Sequence, residues 1–193
     1  MFELSYPLDD TVMIDGQIYQ VDMSFDNVLL LLDLINDEKI PNYQKIFEGI
    51  NMLLGISFLF EHYDLQAQQQ IFNQLLDQLF PKTESKLPHD VDGNPIHLPS
   101  KTEKRTYDFK QDASYIYASF MQAYGIDLFE EQGKLHWKKF QALLSGLPED
   151  TKFKQVIGIR SRKEYKGMSS EERKQLQELK EYYALPETEN VHE

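Results

Sequence analysis

The feature that most constrains this chain is a helical spacing of apolar residues, broken off repeatedly by proline and glycine. Ile46, Phe47, Ile50, Leu53 and Leu54 follow i, i+1, i+4, i+7, i+8, the stripe of a helix with one buried face, and Gly55 stands where a left-handed C-terminal cap belongs. Ile71, Phe72, Leu75, Leu76 and Leu79 repeat the pattern behind a glutamine-rich start from Gln66 to Gln70, and Pro81 ends it. A short apolar stretch from Ile56 to Phe60 joins the two. Upstream, Val28, Leu29, Leu30, Leu31, Leu32, Leu34 and Ile35 leave almost no polar face on a helix that Ser24 or Asp26 can cap. Such a helix is either the central core element or a surface that another subunit covers. The core reading is preferred, because exposed apolar patches of that size are rare on monomers. The chain opens with β-prone runs, Thr11-Val12-Met13-Ile14 and Gln17-Ile18-Tyr19-Gln20-Val21, about Asp15-Gly16. That dipeptide suits a type I′ turn, so a hairpin is predicted, and it must lie against the helices because an isolated hairpin is marginal in water.

Between 81 and 106 the character changes, as Pro81, Pro88, Pro95 and Pro99 interrupt helical continuity. We read a linker there, with a small turn at Asp92-Gly93-Asn94. From Asp108 the helical register resumes in Ala113, Ile116, Tyr117, Phe120 and Tyr124, and Gly125-Ile126 fits a Schellman ending. A helix around Leu135 to Ser145 closes at Gly146. Pro148-Glu149-Asp150-Thr151 starts a short one carrying Phe153, Val156 and Ile157. Ser169-Ser170-Glu171-Glu172 supplies a capping box for a last helix with Leu176, Leu179 and Tyr183. The expected fold is mainly α, a helical bundle-like protein with a small N-terminal β-hairpin and room for two helical subdomains. The divisions would be an acidic N-terminal part over 1–80, a linker over 81–106, a C-terminal part over 107–185 and a frayed tail over 186–193.

Charge separates the two halves more sharply than the net value of −12 suggests. Residues 1–100 hold 16 Asp and Glu against 4 Lys and Arg, whereas residues 101–193 hold 16 of each. Such a field repels phosphate backbones and would steer a basic partner towards the first half, although solvated helix faces also explain it. The absence of cysteine removes disulfides, thiolate metal sites and thiol nucleophiles. The opening MFELSYPLDD lacks a basic leader followed by an apolar stretch. The longest apolar run, Val28 to Leu32, is short of the roughly 20 residues that span a bilayer, so cytoplasm is expected and membrane is not.

Catalytic chemistry is hard to find. The histidines His62, His89, His97, His136 and His192 lack the i, i+4 spacing that puts two ligands on one helix face. The stretch from His89 through Asp90, Asp92, Gly93 and Asn94 to His97 is too short for a calcium loop and reads as turn chemistry. Glu130-Glu131, Glu149-Asp150 and Glu171-Glu172 lie at or near helix starts, where negative charge favours the helix dipole. Arg160-Ser161-Arg162-Lys163, with Lys166, is the one basic cluster, and its arginines follow a helix whose C-terminus favours cations. No enzyme, metal or cofactor is therefore expected, and no nucleic acid. A pocket in which His136 faced Asp or Glu residues would reverse that reading.

Several spaced motifs go beyond helix grammar: DASYIYASF from Asp112 to Phe120, YGIDL from Tyr124 to Leu128, LHWKKFQALLSGLPEDTKF from Leu135 to Phe153, and IGIR from Ile157 to Arg160. Together they resemble the phage gene-product-fifteen family of long-tailed phages and prophages of Gram-positive hosts, most strongly over residues 107–160. The family often has two adjacent tryptophans where this chain has Trp137-Lys138. The resemblance implies a tail assembly chaperone that transiently binds the tape-measure protein and the major tail protein in the host bacterial cytoplasm, with self-association left open. The alternative is a structural tail or connector component kept in the virion. Tyr115, Trp137 and Phe140 are the candidate partner-binding residues, weighed against the core packing that aromatics at helical spacing more often serve.

Overall fold

The computed structural model describes residues 4–55, 63–81 and 106–186. The stretch Ile56 to Phe60, the turn at Asp92-Gly93-Asn94, the His89 to His97 segment, most of the 81–106 linker and the tail from 187 lie outside the described residues. Within them, two strands form an antiparallel hairpin, β1 (Thr11–Ile14) and β2 (Gln17–Gln20), and the rest is helical. The helices are α1 (Phe25–Asn36), α2 (Asn42–Leu54), α3 (Leu65–Leu79), α4 (Ala113–Tyr124), α5 (Trp137–Ser145), α6 (Lys152–Ser161) and α7 (Ser170–Tyr182). The protein is mainly α with an N-terminal hairpin, as its apolar spacing predicts.

The described residues group into two compact units. One takes its residues from Met1–Leu98 and Glu131–Ala142, the other from Pro99–Glu130 and Leu143–Glu193, so the division falls inside α5. The sequence alone placed all of 107–185 in a single C-terminal part. Residues 131–142 pack instead with the first unit, where Phe25 N–H donates to Leu135 O at 2.9 Å, Trp137 N–H donates to Met23 O at 2.7 Å, and Ser24 bridges His136.

In the first unit, Asp15 and Gly16 both take positive φ, 49° and 79°, as a type I′ turn requires. Val12 and Ile14 face inward and are buried, while Met13 and Ile18, paired across the ladder, face outward. Helix α1 packs on α2 and α2 on α3. Gly49 lies where all three approach, since a Cβ there would stand 2.5 Å from Phe72 Cε2 and 3.1 Å from Leu31 Cδ1. Helix α1 is not buried all round. Phe25, Val28 and Leu31 are, Leu29, Leu32, Leu34 and Ile35 are half-buried, and Leu30 is 60% exposed. Ser24 occupies the N-cap position of α1 but makes no side-chain cap hydrogen bond, and its hydroxyl donates to Asp22 Oδ1 at 2.6 Å. Asp26 accepts instead from Gly133 N–H at 2.9 Å.

In the second unit α4 packs on α6 and α6 on α7 around Ile116, Phe120, Phe153 and Val156, all buried. Helix α4 ends in the expected Schellman geometry, with Gly125 at φ 64° and Ile126 N–H reaching back to Phe120 O. The capping box of α7 forms between Ser169 and Glu172, and these hydrogen bonds to Ser169 hold the Glu172 carboxyl below its ordinary pKa. No helix among the described residues is long and apolar enough to cross a membrane.

Candidate functional site

In the first unit the entry into α5 is built from aromatic rings. Phe25 stacks on Phe140 at 4.9 Å, Phe140 stacks on Trp137 at 5.6 Å, and Phe80 meets the indole edge-on at 6.0 Å. Trp137 and Phe140 are therefore adjacent but 2% and 1% exposed, and in this packing they fasten α5 to α1 and to the end of α3. Truncating either would cost about 3 to 5 kcal/mol, the usual loss for a buried aromatic. Tyr115 lies in the second unit, half-buried, with its ring edge-on to Tyr183 at 6.1 Å and the Lys152 ammonium 5.7 Å from its centroid.

A cavity of about 530 Å³ opens in the first unit, lined by Asp10, Gln20 to Ser24, Met52 to Gly55, Gly133, Lys134 and His136. It does bring His136 into company with two carboxylates, Asp10 and Asp22, which the sequence set as the sign of chemistry. The hydrogen bonds argue against a catalytic pair. His136 precedes α5, and its Nδ1 accepts the Lys138 backbone N–H at 3.0 Å, so the ring serves as a helix cap. Neutral imidazole then carries its proton on Nε2, which is buried and has no acceptor among the described residues. Burial, then the nearby Lys138 charge, pushes the His136 pKa down, against an upward pull from Asp10. No hydrogen bond links His136 to either carboxylate, which leaves it without the oriented base that nucleophilic or acid–base catalysis uses. Among the described residues, no three His, Asp or Glu side chains gather as metal ligands.

The second unit is tied together by one guanidinium. Arg160 donates from Nη1 to Asp112 Oδ2 at 2.6 Å and from Nη2 to Asp112 Oδ1 at 2.8 Å, a fork-to-fork pair. It also donates to Thr106 O and Tyr183 O, so a single side chain joins Thr106, the N-terminal end of α4 and the C-terminal end of α7. The Asp112 and Arg160 side chains are 1% and 11% exposed. Removing one partner of such a pair strands the other charge, at about 3 to 5 kcal/mol. The sequence reading placed Arg160 after the helix that carries Ile157 and credited it to the helix dipole; it lies within the last turn of α6. Its head is instead spent on a distant carboxylate, and the cations of that cluster facing solvent are Arg162, Lys163 and Lys166.

Against this geometry the comparison with protein families is decisive: the model described as Bacteriophage Gp15 protein matches residues 7–185. The chain belongs to this family. Comparison with curated proteins and with solved structures gave no match. Membership places the Gp15-family chain among bacteriophage structural or morphogenesis proteins.

The motifs that carried the resemblance do architectural work in this Gp15-family chain. Asp112 opens DASYIYASF and Arg160 closes IGIR, and the two are the ion pair. Ser119 is fully buried; its hydroxyl donates to Tyr115 O at 2.6 Å and accepts Phe153 N–H at 3.0 Å, holding α4 to α6. Tyr117 donates to Asp127 of the YGIDL corner at 3.2 Å, and Tyr124 donates to Leu143 O at 2.9 Å. Apart from the Ser119 to Tyr115 bond within α4, these pairings were invisible in the sequence, because each joins residues ten or more apart with no periodic signature.

Proposed function

We propose that this protein is a tail assembly chaperone that transiently binds the tape-measure protein and tail-tube subunits during tail morphogenesis. The observation that carries the reading is membership of the Bacteriophage Gp15 family, together with an N-terminal half holding 16 acidic and 4 basic residues. A chaperone that must let go needs contacts that form quickly and stay weak, and long-range charge supplies them. The cavity beside β2 offers a recess without an oriented catalytic group, which suits holding rather than conversion.

A structural component kept in the tail or connector shares the same family membership, and copy number separates the two. Mass spectrometry of purified particles is expected to find the protein absent or far below stoichiometric copy number. Stoichiometric presence would overturn the chaperone and leave the structural reading. Co-expression should also raise the soluble yield of the tape-measure protein.

A further inference from the structure

We propose that the outer edge of β2, where no hydrogen bond reaches Ile18 or Gln20 among the described residues, is an acceptor for an extended, basic segment of a partner protein, which adds a third strand to the hairpin. The ladder register decides which backbone groups are available. The two-residue turn makes Ile14 and Gln17 a hydrogen-bonded pair, and alternation makes Val12 and Tyr19 the next. The N–H and C=O groups of Thr11 and Met13 then point out from one edge, and those of Ile18 and Gln20 from the other.

The two edges are treated differently. On the β1 side, Gln78 Nε2 donates to Thr11 O at 3.0 Å and Gln74 Nε2 donates to Met13 O at 3.4 Å, so α3 covers that edge with glutamine amides. On the β2 side Asp22 N–H, just past the strand, donates to Leu53 O at 2.7 Å, which closes that end, while no hydrogen bond reaches the backbone of Ile18 or Gln20 among the described residues. Proteins blunt such edges with lysine, proline or a bulge, and Gln17-Ile18-Tyr19-Gln20 contains none of these. Ile18 and Met13 stand 69% and 61% exposed on the outer face, where alternate side chains of an added strand would cover them. Gln20 also lines the cavity of about 530 Å³, which offers room for a side chain at the strand's end.

Charge selects the occupant. Asp15 stands at the turn, and Asp22 and Asp10 line the cavity at the other end of the strand, with Lys134 the cation among its lining residues. Edge-to-edge pairing with a second copy would set these carboxylates against their own duplicates, whereas a lysine-bearing strand meets them favourably. This inference rests on the chaperone reading only for naming a phage tail protein as the source of the strand.

The test uses the full chain with a short synthetic peptide of alternating lysine and valine, and a glutamate and valine counterpart. The lysine peptide should bind and slow amide hydrogen exchange at Ile18 and Gln20, while the glutamate peptide should not bind at the same concentration. Ile18→Pro removes an outward donor without breaking the ladder and should weaken binding about tenfold. Ile18→Thr keeps the donor and should bind, which guards against misreading a folding defect. Binding of the lysine peptide with unchanged exchange at Ile18 and Gln20 overturns the proposal, as does no binding, or protection that appears through self-association alone. If Ile18→Pro still raises tape-measure yield as the wild type does, the edge is not the docking surface although the chaperone reading stands. If the peptide occupies the edge but the tape-measure protein gains nothing, the chaperone reading fails and the acceptor edge stands.

Discussion

His136 shows how a single side chain can look catalytic and be structural. Its Nδ1 lone pair is committed to the Lys138 amide and its Nε2 proton is buried. Burial, and then the Lys138 charge, disfavour the protonated ring and hold this histidine below its ordinary pKa, and protonation would also destroy the cap. The sign of the pH dependence follows. In the unfolded chain the ring takes up a proton near its usual value of about 6.5, while the folded state resists until lower pH. The unfolded state therefore binds more protons below that point, and stability falls as pH is lowered. His136→Asn keeps an oxygen able to cap Lys138 N–H and removes the titration. Urea denaturation at a series of pH values should show the wild type losing stability relative to His136→Asn as pH drops from about 7.5 to about 5. Parallel curves would mean that the ring is accommodated equally well in both protonation states.

At the scale of elements, the closest helix approach belongs to α2. Gly49→Ala would force a methyl against Phe72, a ring only 6% exposed, and against Leu31. Overpacking of that kind costs about 1 to 3 kcal/mol, while alanine's better helix propensity returns up to about 1. A net loss of about 1 to 2 kcal/mol in chemical denaturation is expected. Gly158 in α6 is the control, since nothing lies within 4 Å of its absent Cβ. Gly158→Ala should stabilise by about 0.5 to 1 kcal/mol, and a destabilisation there would mean that the space beside Gly158 is filled in solution. The same contrast explains what the sequence could tell. Helices α2 and α3, the Asp15-Gly16 hairpin, the Gly125 ending and the Ser169 capping box are written in residues within a few positions of one another, and all were legible. The passage of residues 131–142 into the first unit was not, because it depends on a bridge between Ser24 and His136. Nor was the Asp112 to Arg160 pair, which joins two motifs that look separately complete. Trp137 and Phe140 were singled out for their chemistry, yet only the stack on Phe25 reveals that they are occupied in packing.

For the molecule as a whole, the governing quantity is a net charge of −12 carried by residues 1–100. Charge spread over a surface acts at a distance, so it should govern how fast a basic partner segment arrives more than how long it stays. Salt separates these two effects. The screening length shrinks from about 14 Å at about 0.05 M to about 4 Å at about 0.5 M salt, which removes long-range steering while leaving backbone hydrogen bonds and apolar contacts in place. Surface plasmon resonance with an immobilised basic tape-measure segment should therefore show the association rate falling about tenfold or more across that range, with the dissociation rate changed about twofold or less. Equal rates of association at both salt concentrations would show that the acidic half plays no part in recruitment. A dissociation rate that rose in step with salt would place the carboxylates inside the bound contact, making charge pairs rather than the β2 edge its main anchor.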